Sequence, residues 1–206
     1  MSAKAQRDGH ERVVAIADGV VCAADAKREI RCQWSGERVE VIGQGTSLAT
    51  TYNDACFLDA DRVVNCRRLV EEDDDNPVEP RPLGETRALQ VVAGGWHACA
   101  RTEANEVHCW GANGWNQLAR NSTNKGSAKA LPVPLKEPAR ELFAFSRSTC
   151  ALLEGGSIAC WGAMDAPATI VSSRVCDKRL LAPDVWCAEA PASIELPTSF
   201  IPYEEK

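Results

Sequence analysis

Ten cysteines are the residues of this 206-residue chain with the clearest chemistry. Eight of them form four pairs with the same C-x9-C spacing: Cys22 and Cys32, Cys56 and Cys66, Cys99 and Cys109, Cys150 and Cys160. The last two, Cys176 and Cys187, are spaced C-x10-C, and whether they join each other stays open at this point. Such regular pairing predicts a framework of structural disulfides, which belongs to an oxidising compartment.

Metal binding is the rival interpretation of the third cysteine pair. His97, Cys99, His108 and Cys109 together have the residue types of a zinc site. On a strand, however, His97 and Cys99 project from one face, whereas His108 and Cys109 alternate between faces. The other three C-x9-C pairs have no such histidines. Disulfides are therefore the favoured interpretation, and we predict no metal and no cofactor.

His97 also invites a catalytic interpretation, because it lies beside a glycine-rich turn. A general base needs a partner acid or nucleophile within hydrogen-bonding reach. No Ser, Asp or Glu recurs at a spacing that would form a triad, and no phosphate-binding loop is found. A structural role is expected for His97, and the chain is not expected to be an enzyme.

The tryptophans divide into repeated and unrepeated positions. Trp110 and Trp161 each follow the second cysteine of a pair, so they are expected to pack inside the fold. Trp96 and Trp115 each occur once and lie at loop-like positions, which makes them the better candidates for contact with a partner. Asn113 and Gln117, which flank Trp115, complete the predicted binding residues.

An internal repeat must position these residues. Aligned on the first cysteine of each pair, four copies share apolar residues eight positions before it (Val14, Leu48, Val91, Leu142) and eight after it (Ile30, Val64, Val107, Ile158). Apolar residues at fixed offsets on both sides of a turn predict a β-hairpin repeated four times. The sequence has no sustained 3.6-residue apolar pattern, so no long helix is predicted.

The copies give approximate boundaries for the chain. Residues 12–165 contain the four repeats, at about 12–40, 41–70, 86–119 and 139–165. Residues 71–85 and 120–138 are rich in Pro and charge, so they are predicted to be exposed connectors, with a short extended piece near Leu131 at a sheet edge. Residues 166–206 form a cysteine-containing extension, in which 191–196 could close the structure as a strand.

The turn inside each copy can be placed by its chemistry. If Cys150 lies opposite Cys160, then residues 154–156 form a three-residue loop that ends in Gly156. Such loops need a positive φ at the last residue, which Gly156 adopts readily and Asn105 tolerates in the third copy. Arg28 and Arg62 occupy the same position less comfortably. The cysteines then lie in a non-hydrogen-bonded pair, where side chains approach most closely.

The third copy resembles a known family. From Gly94 through Leu118, the residues GGWHACA and CWGANGWNQL are similar to a repeat of the regulator of chromosome condensation family, in its bacterial cysteine-paired form. The fourth copy keeps Cys150-Ala151-Leu152 and Cys160-Trp161-Gly162. The resemblance implies a β-propeller of four-stranded blades, usually seven, and a structural histidine whose nitrogens bond backbone between blades. The family's nucleotide-exchange activity depends on loops that have no match here.

The bulk properties limit the partners and the location. A net charge of −6 and a pI near 5.2 argue against nucleic-acid binding, which needs a basic face. The sequence has no apolar run of about 18 residues, so no membrane span is predicted. The first residues, MSAKAQRDGHER, lack the apolar core of a secretory signal, so either a preceding segment was removed or the cysteines stay reduced. The disulfide pattern favours the first alternative.

Together these observations predict an all-β fold, a propeller or partial propeller of about four blades, each centred on a disulfide-bridged hairpin. We expect a non-catalytic module that binds a protein partner and is secreted, periplasmic or at the cell surface. The alternative function is a lectin-like propeller that binds carbohydrate through Trp96 and Trp115.

Overall fold

A computed structural model describes residues 14–17, 20–34, 39–69, 80–120, 126–163 and 185–186. The described chain forms four antiparallel sheets, and the strands of each sheet neighbour one another in chain order. Within these residues there is no helix long and apolar enough to cross a membrane. The predicted all-β architecture is confirmed.

The first two sheets contain seven strands: β1 (Val14–Ala17), β2 (Val20–Ala24), β3 (Glu29–Trp34) and β4 (Glu40–Gln44), then β5 (Thr46–Thr50), β6 (Asp54–Leu58) and β7 (Val64–Arg68). The third and fourth sheets contain eight: β8 (Ala88–Ala93), β9 (His97–Thr102), β10 (Val107–Gly111) and β11 (Ser127–Pro132), then β12 (Ala139–Ala144), β13 (Ser148–Leu153), β14 (Ile158–Gly162) and β15 (Val185–Trp186).

A disulfide joins the second and third strands of every sheet. The bonded pairs are Cys22–Cys32, Cys56–Cys66, Cys99–Cys109 and Cys150–Cys160. In each pair the two cysteines are direct register partners, with Cα atoms 4.0–4.1 Å apart. This short separation is typical of non-hydrogen-bonded pairs, as predicted. Cys176 and Cys187 lie outside the described residues.

The last residue of each hairpin loop has the predicted positive φ: 61° at Arg28, 62° at Arg62, 60° at Asn105 and 81° at Gly156. The carbonyls of Arg28, Arg62 and Asn105 each accept an amide hydrogen from the start of the next sheet, over 2.8–2.9 Å. In these three loops the residue with positive φ therefore closes the turn and also, through its carbonyl, bonds the loop to the next sheet.

Aspartate side chains explain why arginine is tolerated in the first two loops. Asp25 Oδ1 accepts the backbone amides of Lys27 and Glu29, over 2.8 and 3.0 Å. Asp59 makes the equivalent bonds to the two matching amides of the second loop, over 3.0 and 2.9 Å. These local side-chain bonds stabilise the turn in place of a conformationally permissive residue.

The hydrophobic core lies between sheets. In each of three clusters, the disulfide-bearing face of one sheet packs against the opposite face of the next sheet along the chain. In the cluster between the third and fourth sheets, Cys99, Val107 and Cys109 face Leu142, Ala151 and Trp161. Both repeated tryptophans are buried in such clusters, with Trp110 between the second and third sheets, as predicted from their shared position.

The outer strands were less visible in the sequence. Segment 120–138, predicted to be an exposed connector with an extended piece at a sheet edge, supplies β11 as the fourth strand of the third sheet. Val185–Trp186 pairs with β14, whereas the sequence placed the possible strand of this extension at 191–196. In the second sheet, Pro80 accepts a hydrogen bond from the amide of Cys66 over 2.9 Å. The predicted closing strand at 191–196 lies outside the described residues.

Candidate functional site

The turns between the first and second strands of three neighbouring sheets lie side by side. They comprise residues 51–53, 94–96 and 145–147. The amide of Tyr52 donates to the carbonyl of Gly95, and the amide of Gly95 donates to the carbonyl of Ser146, each over 2.8 Å. Backbone hydrogen bonds thus connect all three turns. We call these turns, together with the loop 112–119 that follows β10, the turn surface.

The glycine of the Cys-Trp-Gly motif supports this surface from below. Gly111 and Gly162 end β10 and β14, and both have a φ of 99°. In each case the following amide donates to a turn carbonyl, that of Trp96 over 2.8 Å in the third sheet and that of Arg147 over 3.0 Å in the fourth. A Cβ on Gly111 would lie 2.6 Å from the Trp96 oxygen. The motif therefore needs glycine for conformation and for space.

Two exposed tryptophans occupy the turn surface. Trp96 is 37% exposed and Trp115 is 51% exposed. The ring of Tyr52 meets Trp96 edge to face, with centroids 5.0 Å apart, and the guanidinium of Arg147 lies 4.8 Å from the centroid of Trp115. Edge-to-face and cation–π contacts of this kind hold large side chains in a preferred orientation, each contributing roughly 0.5–1 kcal/mol at exposed positions.

Asn113 and Gln117 lie beneath Trp115 and are completely buried. Asn113 Oδ1 accepts the amide of Leu118 over 3.0 Å, and Gln117 Oε1 accepts the amide of Trp115 over 2.8 Å. Their amide groups bond to the backbone of their own loop. Of the four residues predicted to bind a partner, these two therefore position the loop, while Trp96 and Trp115 are accessible.

His97 is buried between the third and fourth sheets, with 1% of its surface exposed. Its Nε2 lies 2.8 Å from the hydroxyl of Thr149 in the next sheet, and within the described residues Nδ1 has no hydrogen-bond partner. Burial lowers the pKa of His97 to about 4, because the interior disfavours the charged ring. The ring does connect two sheets, but its partner is a side-chain hydroxyl rather than the backbone group that the family resemblance implied.

The zinc alternative is incompatible with the geometry. Cys99 and Cys109 are bonded to each other, so neither offers a thiolate. His108 is half-buried beside Glu106, 3.5 Å from its carboxylate. Across the described ranges, no group of three or more His, Cys, Asp or Glu side chains is arranged to hold a metal ion.

Sequence reasoning missed Tyr52, Arg147 and the polar pair beneath Tyr52. Arg147 occupies the same repeat position as Trp96, three residues before the first cysteine, so the alignment contained the signal. Below the Tyr52 turn, the carboxylate of Asp54 accepts from Arg68 Nε over 3.1 Å. Burial raises the pKa of Asp54, and the hydrogen bond from Arg68 opposes that change. This pair fixes the turn that carries Tyr52.

The chain resembles known proteins in sequence and in fold. Residues 89–117 match the model of the regulator of chromosome condensation (RCC1) repeat. No curated protein sequence matches the chain significantly. The structure of yeast RCC1 (Prp20) bound to Kap60 is similar, with a TM-score of 0.59 and 18% identity, over 79% of this chain and 45% of that one.

Two further structures extend the likeness. The Saccharomyces cerevisiae Prp20p structure, described with its binding to Gsp1p and histones, has a TM-score of 0.58 and 18% identity, over 77% of this chain and 46% of that one. The CRINKLY WD40 ectodomain of the Arabidopsis thaliana receptor kinase ACR4 has a TM-score of 0.56 and 22% identity, over 94% and 69%. This chain spans less than half the length of the two yeast structures. The four sheets therefore have the β-propeller fold, and residues 89–117 are similar to a repeat of the RCC1 family.

Proposed function

We propose that this chain is a protein-binding module of an oxidising compartment, and that the turn surface is where the partner binds. The observation that carries the proposal is the presentation of Trp96 and Trp115, with Tyr52 and Arg147, on turns joined by backbone hydrogen bonds. Tryptophan, tyrosine and arginine are the side chains most enriched among the residues that dominate binding energy at protein interfaces.

The fixed geometry of the surface favours binding. Association costs less when the contacting groups are ordered beforehand, since little conformational entropy is then lost. Here the turns are tied by the Tyr52–Gly95 and Gly95–Ser146 hydrogen bonds, and the loop of Trp115 is held by the buried amides of Asn113 and Gln117. The surface is thus ordered before a partner arrives.

His97 supports a binding role over catalysis. A general base must reach a substrate proton and accept it near the working pH. His97 is buried, its Nε2 is occupied by Thr149, and its pKa is lowered to about 4. The one histidine that the sequence offered for catalysis is therefore placed for packing.

The fold relatives point to the same general role. Yeast RCC1 (Prp20) was solved bound to Kap60, and its structure was described together with its binding to Gsp1p and histones. At 18% identity this likeness supports protein binding as a use of the architecture, and we assign none of those partners to this chain.

Four buried disulfides support an extracytoplasmic location, whether secreted, periplasmic or at the cell surface. Disulfides form and persist in oxidising compartments and are rare in the cytosol. Intact mass of the native protein, measured with and without reduction before thiol alkylation, tests this. Alkylation of the four cysteine pairs without prior reduction would contradict the proposal.

The binding surface is tested by affinity capture from the extracytoplasmic fraction of the source, with quantitative mass spectrometry. A Trp96→Ala/Trp115→Ala variant is compared with wild type and with a control, Leu89→Ala, whose side chain is exposed on β8 of the third sheet. We expect a partner captured by wild type and control to fall at least tenfold with the double variant. A partner retained equally by all three would exclude the turn surface.

Carbohydrate is the second candidate partner, favoured by the exposure of two indole rings. Flat aromatic faces pack against the apolar faces of sugars, and binding on a glycan array would reveal it. One face of Trp115 is already covered by Arg147, which favours the protein interpretation. Glycan binding that survives Trp115→Ala would rule out this residue as a sugar platform.

A further inference from the structure

The outer face of the first sheet differs from its counterparts in the other three sheets. The residue before the first cysteine is completely buried at Ala55, Ala98 and Thr149, with at most 1% of its surface exposed. At the equivalent position of the first sheet, Val21 is 47% exposed. In the second to fourth sheets this face packs against the preceding sheet. The first sheet has the same kind of face, and none of the four described sheets packs on it.

The chemistry of this face suits burial. Val21, Ala23, Arg31, Gln33 and Val41 share it, as the strand registers show. Val39 lies two residues before Val41, so the alternation of an extended chain places it on the same side. We call these six residues the first-sheet face. Val39 and Val41 are 57% and 58% exposed. Of the six large hydrophobic side chains exposed in the described part of the chain, three lie here. Contiguous exposed apolar surface of this kind marks an interaction site.

The three interfaces inside the molecule define what fits such a face. Each consists of the disulfide-bearing face of one sheet against the opposite face of the next. In the third interface, the sulfur of Cys99 lies 3.6 Å from the hydroxyl of Thr149, which occupies the position equivalent to Val21. The occupant of the first-sheet face should therefore be a disulfide-bearing propeller sheet.

The same chain carries a matching face at its other end. The fourth sheet carries the disulfide Cys150–Cys160, whose cysteines are themselves buried, with Leu152 and Ile158 on the same side. Both of these side chains are half-buried. By contrast, Ile30, Val64 and Val107, at the position of Ile158, are at most 2% exposed. The fourth sheet thus has a disulfide-bearing side on which no other described sheet packs, and the first sheet has the opposite side, which are the two kinds of face that meet at each interface inside the molecule. Both faces retain accessible apolar surface.

We propose that a second copy of this chain docks the disulfide-bearing face of its fourth sheet onto the first-sheet face, which continues the interface already repeated within the molecule. The contact is head-to-tail, so successive copies build either a closed ring or an open chain. It uses neither Trp96 nor Trp115 and does not depend on the turn-surface proposal.

Sedimentation velocity of the oxidised chain over a concentration series tests the proposal. Val21→Glu and Leu152→Glu each place a carboxylate in one half of the contact, and each should raise the dissociation constant at least tenfold. Leu89→Glu, at an exposed leucine of β8 in the third sheet, is the matched control and should associate like wild type. Melting temperature and circular dichroism confirm that each variant is folded, and Leu152→Lys replaces Leu152→Glu if the latter is not.

The decisive measurement is an equimolar mixture of the two variants. Each retains one intact half of a head-to-tail contact, so the mixture should form a 1:1 complex although neither variant associates alone. A contact between two first-sheet faces would instead leave Leu152→Glu unaffected and give no rescue. Wild type that stays monomeric throughout, association unchanged by Val21→Glu, or a mixture that stays monomeric would each overturn the proposal.

Discussion

His97 shows how burial decides the chemistry of a residue. The ring is bonded through Nε2 to Thr149 across the interface of the third and fourth sheets, and the sulfur of Cys99 lies beside the same hydroxyl. A charged imidazolium in this position would lose its hydration without gaining a counter-charge. The neutral ring is therefore part of the folded state, and protonation must favour unfolding.

The pH dependence of stability follows from the lowered pKa of His97. The unfolded chain takes up a proton below its ordinary pKa of 6.5, while the folded chain takes it up only near 4. Acidification through this window favours the unfolded state and should cost about 2 kcal/mol between pH 7.5 and pH 5. We expect His97→Gln to remove this slope, as measured by urea unfolding at both pH values.

Two other residues, His108 and Asp54, bear on the interpretation of this pH dependence. His108→Gln, at a half-buried histidine outside the sheet interfaces, is the matched control and should leave the slope in place. The raised pKa of Asp54 acts in the opposite sense, since its contribution to stability is lost as pH rises through the folded value. A slope that persists unchanged in His97→Gln would show that another group controls acid stability.

At the scale of the element, the third and fourth hairpins each fix a turn through a single glycine, Gly111 and Gly162. Gly111 has a φ of 99° and leaves no room for a Cβ beside the Trp96 carbonyl. Gly111→Ala should cost on the order of 2 kcal/mol through backbone strain and steric contact. It should also increase amide exchange in the turn 94–96. Guanidinium unfolding and hydrogen exchange measure the two effects.

Gly114 offers a close comparison in the same loop. A Cβ there meets nothing within 4 Å, so Gly114→Ala should change stability by no more than about 0.5 kcal/mol. Equal losses in the two variants would mean that loop entropy, rather than the packing of Gly111 against the turn, determines the effect.

The hairpins were predictable because two independent patterns coincide there. Cysteine spacing set the register, and Gly156 and Asn105 set the turn, so Cys150 opposite Cys160 and Leu152 opposite Ile158 were found as predicted. The outer strands left no comparable pattern. β11 ends at a proline, and β15 has two residues, so neither shows an alternation long enough to detect.

The candidate site was predictable only in part. Trp96 and Trp115 were identified because they break the repeat, and both are exposed. Arg147 was missed because it is not aromatic, although it shares the repeat position of Trp96. Tyr52 lies one residue outside that position, four before its cysteine. The buried amides of Asn113 and Gln117 looked like contact residues because sequence does not show on which side of a loop a polar group lies.

At the scale of the whole molecule, packing between sheets follows chain order, with each of three clusters joining two consecutive sheets. The four disulfides of the described residues each join two strands of one sheet. Stability in such an array is close to a sum of sheet and nearest-neighbour terms. Damage at one interface should therefore stay near that interface.

Leu48 and Leu142 give a matched test, because both lie eight residues before the first cysteine of their repeat. Leu48 is 8% exposed in the cluster of the first and second sheets, and Leu142 is 1% exposed in that of the third and fourth. Each leucine-to-alanine change should cost roughly 2–4 kcal/mol, with the smaller loss at Leu48 because it is less buried.

Hydrogen exchange should locate the two losses in different places. Leu142→Ala should reduce amide protection in β9, β10, β12 and β13, while β2 and β6 keep the protection of wild type. Leu48→Ala should give the reverse distribution. The backbone amide of Leu142 donates to Gln90 Oε1 over 2.9 Å. Because this bond does not involve the leucine side chain, it should persist in Leu142→Ala and limit the loss to packing. Equal loss of protection over all four sheets in both variants would show that the propeller unfolds as one cooperative unit.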